Sequence, residues 1–512
     1  MTRLGFLLDS DSCIGCHACT VACKSEHDVP LGVNRTWVKY IETGSFPNVA
    51  RKFTVMRCNQ CDDAPCMAIC PTSALFRAPN GVVDFDDANC IGCKSCMNAC
   101  PYDALYINPA TSTAHKCNMC NHRIEVGLEP SCQVVCPTEA IKIGDLDDPA
   151  SEISRIIARD DVAVRSPEQN TNPKVYYRGA DQASLDPTRT AIANDGMIWA
   201  DVTAHHPTIP VRAGHRPADE LGVVARTAYT TAHPMTWAEK VSGYLVTKAI
   251  AAGAMLVAAL LVLLGHSGSQ AAVGVVPPMV AGVFLAVTGV LLVADLKQPR
   301  RFHYLLTRGN QSSWLVKGAY ILMAFTAVCG LWWIGGVLGA GGLLEVLALP
   351  AALGAAGTAG YTAYLFAQCE GRDLWQTPLL LPILLAQAVT AGGAVFAVLD
   401  VFMDVPEPTA IRWALLGGVI ATGGLIAVEL SSQASRHVEL AVTAMTRGRY
   451  ARQFWWGGIG LGLVVPALAV AVSLAAGVEG PALAAAGGLC ALAGMFAYED
   501  AFVRAGQSVP LS

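Results

Sequence analysis

The chain changes character near residue 235. Beyond it, apolar residues gather into eight stretches, near 241–264, 271–294, 315–339, 343–367, 377–399, 411–431, 456–477 and 481–502. Each approaches the ~20 residues that a bilayer's hydrocarbon core requires. Gly and Ala are frequent in them, which lets membrane helices approach closely, and the short loops between them argue against a soluble helical core. Before residue 151 the apolar positions come in small units instead. Pro71-Thr72-Ser73-Ala74-Leu75, Pro101-Tyr102-Asp103-Ala104-Leu105 and Pro137-Thr138-Glu139-Ala140-Ile141 each predict a turn leading into a short strand. Between the halves, residues 151–235 are rich in Pro, Asp, Asn and Thr and show little periodicity. They read as a long connector lying over a partner surface or over the chain's own domains, with Lys174-Val175-Tyr176-Tyr177 as a candidate strand. The expected division is therefore 1–150, 151–235 and 236–512.

Composition alone hides this division: 512 residues, 53% hydrophobic and 15% charged, net charge −5. That charge averages an acidic soluble part with a basic membrane face, so lipid is an expected partner and nucleic acid is not. The basic residues are lopsided. An even number of spans returns both ends of the membrane half to one side, where Lys297, Arg300, Arg301, Arg308, Arg372, Arg436, Arg447, Arg449, Arg452 and Arg504 fall. The other loops offer essentially Arg412. Basic loops stay in the cytoplasm, so the soluble half is expected on the cytoplasmic face of a cell (inner) membrane. The N-terminal residues do not read as a cleavable export signal, which agrees. Most of these charges suit lipid headgroups, while the Lys297–Arg308 loop is a candidate for docking the soluble half.

Cysteine supplies the chemistry. Sixteen of nineteen precede residue 140, in four tetrads: Cys13, Cys16, Cys19, Cys23; Cys58, Cys61, Cys66, Cys70; Cys90, Cys93, Cys96, Cys100; and Cys117, Cys120, Cys132, Cys136. The first and third share C-x2-C-x2-C-x3-C, the spacing in which three thiolates grip one iron-sulfur cluster and the fourth reaches the neighbouring cluster. Proline follows the last cysteine in three tetrads, whereas the first has Lys24. A disulfide framework suits short secreted chains, and a zinc ribbon fits only the second and fourth tetrads loosely. Four [4Fe-4S] clusters are the expectation. Asn89-Cys90-Ile91-Gly92-Cys93 echoes Ser12-Cys13-Ile14-Gly15-Cys16, so each repeat reads as half of a ferredoxin fold. The crossing rule, applied outward through the nested tetrads, assigns Cys13, Cys16, Cys19 and Cys136 to one cluster and Cys23, Cys117, Cys120 and Cys132 to its partner. The second pair uses Cys58, Cys61, Cys66 and Cys100, then Cys70, Cys90, Cys93 and Cys96. The expected fold class is an α+β ferredoxin-like double-dicluster domain fused to an all-α eight-helix transmembrane bundle.

Clusters in a row make a wire, which needs a donor and an acceptor at its ends. A quinone (ubiquinone or menaquinone) in the bilayer suits one end. A haem relay would need histidines projecting from mid-helix, and His266, His303 and His437 lie at or beyond span ends while the other eight precede residue 241, so no haem is expected. No substrate-binding motif is visible at the other end, so substrate catalysis is expected in a separate subunit.

The soluble half resembles the four-cluster electron-transfer subunit of the dimethyl-sulfoxide-reductase superfamily. Val29-Pro30-Leu31-Gly32 and Arg35-Thr36-Trp37-Val38-Lys39-Tyr40 look most like the subunit of membrane-bound sulfite dehydrogenases. The membrane half resembles the polysulfide reductase (NrfD-like) anchor through Asp295-Leu296-Lys297-Gln298-Pro299-Arg300-Arg301-Phe302, Gly318-Ala319-Tyr320, Gly360-Tyr361-Thr362-Ala363-Tyr364 and Trp375-Gln376-Thr377-Pro378-Leu379. These two partners, usually separate polypeptides, stand here in one chain. The resemblance implies a molybdenum or tungsten bis-pterin (molybdopterin) catalytic partner, sulfite oxidation with quinone reduction, and quinone bound near the soluble half. Formate, thiosulfate or polysulfide chemistry is the alternative. So is a proton-translocating module using buried carboxylates such as Asp295, Glu345 and Glu429.

Quinone chemistry needs groups that hold carbonyl oxygens and deliver protons within an apolar pocket. Tyr244, Lys248, Asp295, Tyr361 and Tyr364 are the candidates, and the resemblance makes Tyr361 the leading carbonyl donor. Plainer roles stay open: Tyr244 and Tyr364 as interfacial belt residues, Lys248 snorkelling, and Asp295 paired with Lys297 or Arg300.

Overall fold

The computed structural model describes residues 2–45, 47–192, 225–231, 234–266, 271–432, 434–475 and 481–512. Its soluble half is built on two four-stranded sheets and two hairpins. In the first sheet Leu4–Asp9 runs antiparallel to Ile141–Asp145 and parallel to Val175–Arg178, which pairs with Val162–Ala163. Leu4–Asp9 is apolar on both faces because both are covered. Phe6 and Leu8 enter the main core, while Leu7 meets Ile153 and Ile156 of helix Glu152–Arg159. Ser151 caps that helix by accepting from the Ser154 amide at 3.2 Å.

The second sheet holds the long hairpin Thr36–Ser45 and Asn48–Arg57, extended by Ala225–Tyr229 and Ala191–Ile192. Two small hairpins, Leu75–Arg77 with Val83–Phe85 and Leu105–Asn108 with Thr113–Lys116, follow the Cys70-Pro71 and Cys100-Pro101 units. Among the described residues, what reads as connector therefore contributes four short strands to the two sheets, along with helix Glu152–Arg159. These strands span at most five residues, too short for alternation to stand out in sequence. The prolines at 207, 210 and 217 lie outside the described residues.

In the membrane half, eight helices among the described residues are long and apolar enough to cross a bilayer: Glu239–Leu263, Ala271–Asp295, Trp314–Val337, Gly341–Ala367, Leu380–Leu399, Pro408–Ser431, Gln453–Ala475 and Ala482–Ser508. The first is the hub, buried along most of its length, and the second, third, fourth, sixth and seventh face largely outward. Hub and fifth span meet at Gly253 and Gly392, where a Cβ on Gly253 would stand 2.4 Å from the Gly392 nitrogen; only glycine fits. The second span starts after a break at Val275, with Pro277 and Pro278 in its first full turn, where their missing N–H groups cost nothing. A short amphipathic helix, Arg436–Thr446, joins the sixth and seventh spans; Ser435 caps it.

The two halves are stitched together by backbone. Lys297 and Gln298 amides donate to the Gly92 and Ile91 carbonyls at 3.1 Å each, and the Asn310 amide donates to Pro71 at 2.8 Å. Arg301 donates to the Asp87 and Cys90 carbonyls at 2.6 and 2.8 Å. The Lys297–Arg308 loop thus grips the soluble half. The C-terminal tail adds a second clasp: Arg372 bonds the Val509 carbonyl at 3.2 Å, and Arg165, in the soluble half, bonds that of Leu511 at 2.6 Å.

Candidate functional site

Short helices present the cysteines. His17, Lys94 and Cys120, with φ of 59°, 65° and 54°, hold left-handed turns immediately before helices Ala18–Glu26, Ser95–Ala99 and Asn121–Ile124. Such a turn reverses the chain within a C-x2-C unit, so that successive thiols converge. At Gly92 (φ 67°) a Cβ would also stand 2.6 Å from the Lys297 Cβ, so glycine lets this turn seat against the membrane half.

Cys70, Cys90, Cys93 and Cys96 line one cavity, and Cys58, Cys61, Cys66 and Cys100 line another. Cys23 faces Cys117, Cys120 and Cys132, while Cys13 faces Cys16, Cys19 and Cys136. Among the described residues, no three His, Cys, Asp or Glu side chains are placed to hold a single metal ion; the thiols stand around a volume instead, as a cubane requires. Burial pushes the Cys19 and Cys100 thiols up to about 11 and those of Cys61 and Cys93 up to about 12. Such thiols become thiolates when metal coordination compensates for the lost hydration.

Buried cations flank these thiols. Arg57 donates to the Cys132 sulfur at 3.4 Å, faces Cys117 and Cys19 as well, and lies over the Phe6 ring at 4.2 Å. Lys116, fully buried, faces Cys66. Unpaired buried charges are costly, and anionic clusters are the counter-ions these positions fit.

Beneath the Cys70–Cys96 cavity lies a second one of about 100 Å³, walled by Cys93, Ser95, Trp237, Tyr244, Asp295, Tyr361 and leucines of the second to fourth spans. Its lining is mostly apolar, and its few polar groups lie toward the soluble half. Trp237 donates to the Cys93 carbonyl at 3.2 Å and stacks on Trp375, ring centroids 5.5 Å apart. Gly318 makes room for Tyr361, since a Cβ there would stand 2.3 Å from the tyrosine ring.

Residues 228–510 match the family described as polysulphide reductase, NrfD, and residues 49–146 match the 4Fe-4S dicluster domain. The chain belongs to the NrfD family. It carries its iron-sulfur electron-transfer domain on the same polypeptide. Similar proteins include a subunit of the tetrathionate reductase of Salmonella typhimurium, 41% identical over 189 residues, which are 36% of this chain and 76% of that protein. The thiosulfate reductase electron transfer subunit PhsB of Salmonella typhi is 43% identical over 34% of this chain and 90% of its own length. A subunit of the polysulfide reductase of Wolinella succinogenes is 37% identical over 34% and 93%. The NrfD match and the apolar helices make this an integral, multi-pass membrane protein.

Within the NrfD half, Tyr244, Asp295 and Tyr361 share the cavity wall. Lys248 lies behind them, wholly buried. It donates to the Ala359 carbonyl at 3.0 Å and to the Thr362 hydroxyl, with its ammonium 4.7 Å from the Tyr361 ring centroid. It therefore does not snorkel. Asp295 pairs with Lys94 of the iron-sulfur half at 2.8 Å rather than with Lys297 or Arg300. Burial draws the Lys94 ammonium below its ordinary range, partly countered by that aspartate. Two expectations need correction. Tyr364 is 43% exposed and stacks on Trp314 at 4.4 Å, so it faces outward as a belt residue and does not line the cavity. Glu345 is exposed rather than buried, because it sits in the first turn and a half of the fourth span on its outward face.

Sequence reading missed Trp237, Lys94, Thr362 and Glu499. Lys94 sits inside the cysteine motif and Trp237 two residues before the hub begins, but nothing in the pattern tells which of many polar residues will meet across two domains.

Proposed function

We propose that this chain carries electrons between a separate molybdenum or tungsten bis-pterin catalytic subunit and quinone in the membrane, through four [4Fe-4S] clusters held by the cysteine groups given above. One observation carries this reading: Cys93 forms part of the wall of both the membrane-proximal thiol cavity and the apolar cavity between the spans. Clusters bound in these tetrads supply one-electron transfer. Tyr361 and Tyr244 offer hydroxyls to a quinone ring in the lower cavity, Asp295 and Lys94 hold the iron-sulfur half against it, and the leucines exclude water. At the far end, Ile14, Val21, Val134 and Val135 are exposed beside the Cys13 and Cys136 thiols, an apolar rim suited to a catalytic partner. The tetrathionate, thiosulfate and polysulfide reductase relatives favour an inorganic sulfur compound as that partner's substrate, a class to which sulfite also belongs, while another relative is named for arsenate.

Tyr361→Phe in the purified chain is expected to leave iron content and chemical reduction of the clusters unchanged. It should slow their reoxidation by a short-chain ubiquinone or by menadione about tenfold or more, the loss of one hydrogen bond to the transition state. Parental reoxidation in both Tyr361→Phe and Lys248→Ala would place the quinone elsewhere.

We place the iron-sulfur half in the cytoplasm, on the lopsided loop charge. Arg412, on the opposite side, is paired with Asp400 at 3.3 Å and adds no free charge there. With Cys introduced at Gly342, exposed and open around its Cα, an impermeant thiol reagent should label intact cells. With Cys at the exposed Thr307 it should not. The reverse pattern inverts the topology.

A further inference from the structure

The most unusual side chain outside the cavity is Glu499. It lies on the eighth span, 1% exposed, and its carboxylate oxygens make no close hydrogen bond among the described residues, with only the Gln387 amide turned toward them. Such a group is expensive inside a membrane protein and is rarely kept without a function. Its polar surroundings come from several elements: Lys248 on the hub, Gln387 on the fifth span, Glu429 on the sixth, and the neighbouring tyrosines Tyr498 and Tyr244. Lys248 reaches toward the quinone cavity, bonded to Thr362 and lying against the Tyr361 ring. In the other direction, Tyr498 donates to Glu429 at 3.2 Å, and the second oxygen of Glu429 is buried with the Thr377 hydroxyl turned toward the carboxyl. A small cavity of about 20 Å³ lies between Gln387, Thr390, Thr422 and Tyr498, room for about one water. Glu429 stands two residues before the end of its span at Ser431, beside Thr377, and Ser431 and Ser432 are exposed. That end faces the iron-sulfur half, as does the start of the hub.

We propose that Lys248, Glu499, Gln387, Tyr498 and Glu429 form a lateral proton relay, connecting the quinone cavity with the membrane surface on the iron-sulfur side. This rests on the quinone reading above and adds the route of its protons. Reduction of one quinone takes two electrons, delivered singly from the clusters, and two protons, and yields one quinol. The protons enter at Glu429, pass by way of Tyr498 and water to the Glu499 carboxylate, and reach the Tyr361 side of the cavity through Lys248 and Thr362; Gln387 orients the carboxylate. Every member lies in the half of the bundle nearest the iron-sulfur domain, so the path exchanges protons with one face instead of crossing the membrane.

The test uses the purified full chain with its clusters reduced by dithionite and the excess removed. Reoxidation by menadione is followed by absorbance across pH 6 to 9, and proton uptake by a pH dye. Ala319→Trp, which fills the quinone cavity, sets the background. Glu499→Gln should reoxidise at least tenfold more slowly than the parent at every pH and flatten its pH profile, while menadione binding, read by Trp fluorescence quenching, stays parental. Glu499→Asp should restore part of the rate. Parental rate and profile in Glu499→Gln overturn the relay. A parent no faster than Ala319→Trp instead overturns the quinone reading itself. Should Glu499→Gln lose iron or fail to assemble, Glu429→Gln at the outer end decides in the same way: slowed and flattened supports the relay, parental overturns it.

Discussion

Cys96→Ser is expected to reduce electron delivery from the iron-sulfur half to quinone to background, while the chain stays inserted in the membrane. Cys96 is buried in helix Ser95–Ala99 and lines the thiol cavity nearest the bilayer, the one whose wall it shares with Cys93. No other tetrad borders the membrane cavity, so no parallel route bypasses this step. Iron should fall from about sixteen to about twelve atoms per chain, or to about fifteen if a three-iron remnant persists. The helix itself should hold, because Asn98 donates to the Thr236 hydroxyl at 2.9 Å and accepts from Arg372 at 3.3 Å, independently of the thiol. Chemical reduction should still bleach the remaining clusters. A variant that passes electrons to quinone at the parental rate would remove this tetrad from the wire, and a parent containing about half the expected iron would remove the four-cluster assignment.

The second large effect is expected at Arg57. Arg57→Met keeps the length of the side chain but deletes a fully buried positive charge that faces Cys132, Cys117 and Cys19. An added electron is then less well compensated, so the midpoint potentials of the two clusters farthest from the membrane should fall. A unit charge beside a redox centre, at an effective dielectric near 20, is worth a few kcal/mol, on the order of 100 mV for a one-electron couple. Arg57→Lys should recover most of the shift, since it keeps the charge and gives up only the bond to sulfur. An electron-paramagnetic-resonance redox titration reads both variants; unchanged midpoints would mean that the guanidinium is structural only.

Sequence legibility differed sharply between kinds of feature. The eight spans were visible because a bilayer demands some twenty consecutive apolar residues, and their ends fall within three residues of the helices except the last, where the helix runs on to Ser508. The cysteine spacing was legible for a similar reason: a cluster constrains the positions of its ligands along the chain, and the four cysteines it groups as Cys70, Cys90, Cys93 and Cys96 do line one cavity. The short strands Val162–Ala163 and Ala225–Tyr229 were not, since their few residues carry no periodicity and the Thr36–Ser45 partner of the second lies far away in the chain. The membrane cavity was legible in part. Tyr244, Asp295 and Tyr361 could be named by depth along their helices, but depth does not fix azimuth, and Tyr364, three residues from Tyr361, points outward to Trp314. The Lys94–Asp295 pair and the Glu499 pocket depend on how separate elements turn toward one another, which no local pattern encodes.

The strand Ala225–Tyr229 pairs with Thr36–Ser45, and the hub begins only ten residues later, at Glu239. During synthesis, the last strand of that sheet leaves the ribosome immediately before the first hydrophobic helix. The soluble half therefore cannot be completed long before membrane insertion starts. Its clusters would have to be loaded within a brief interval, or on a domain already tethered at the bilayer. A chain divided between these two elements would lift that timing constraint, letting an iron-loaded soluble piece mature on its own schedule and meet its anchor afterwards.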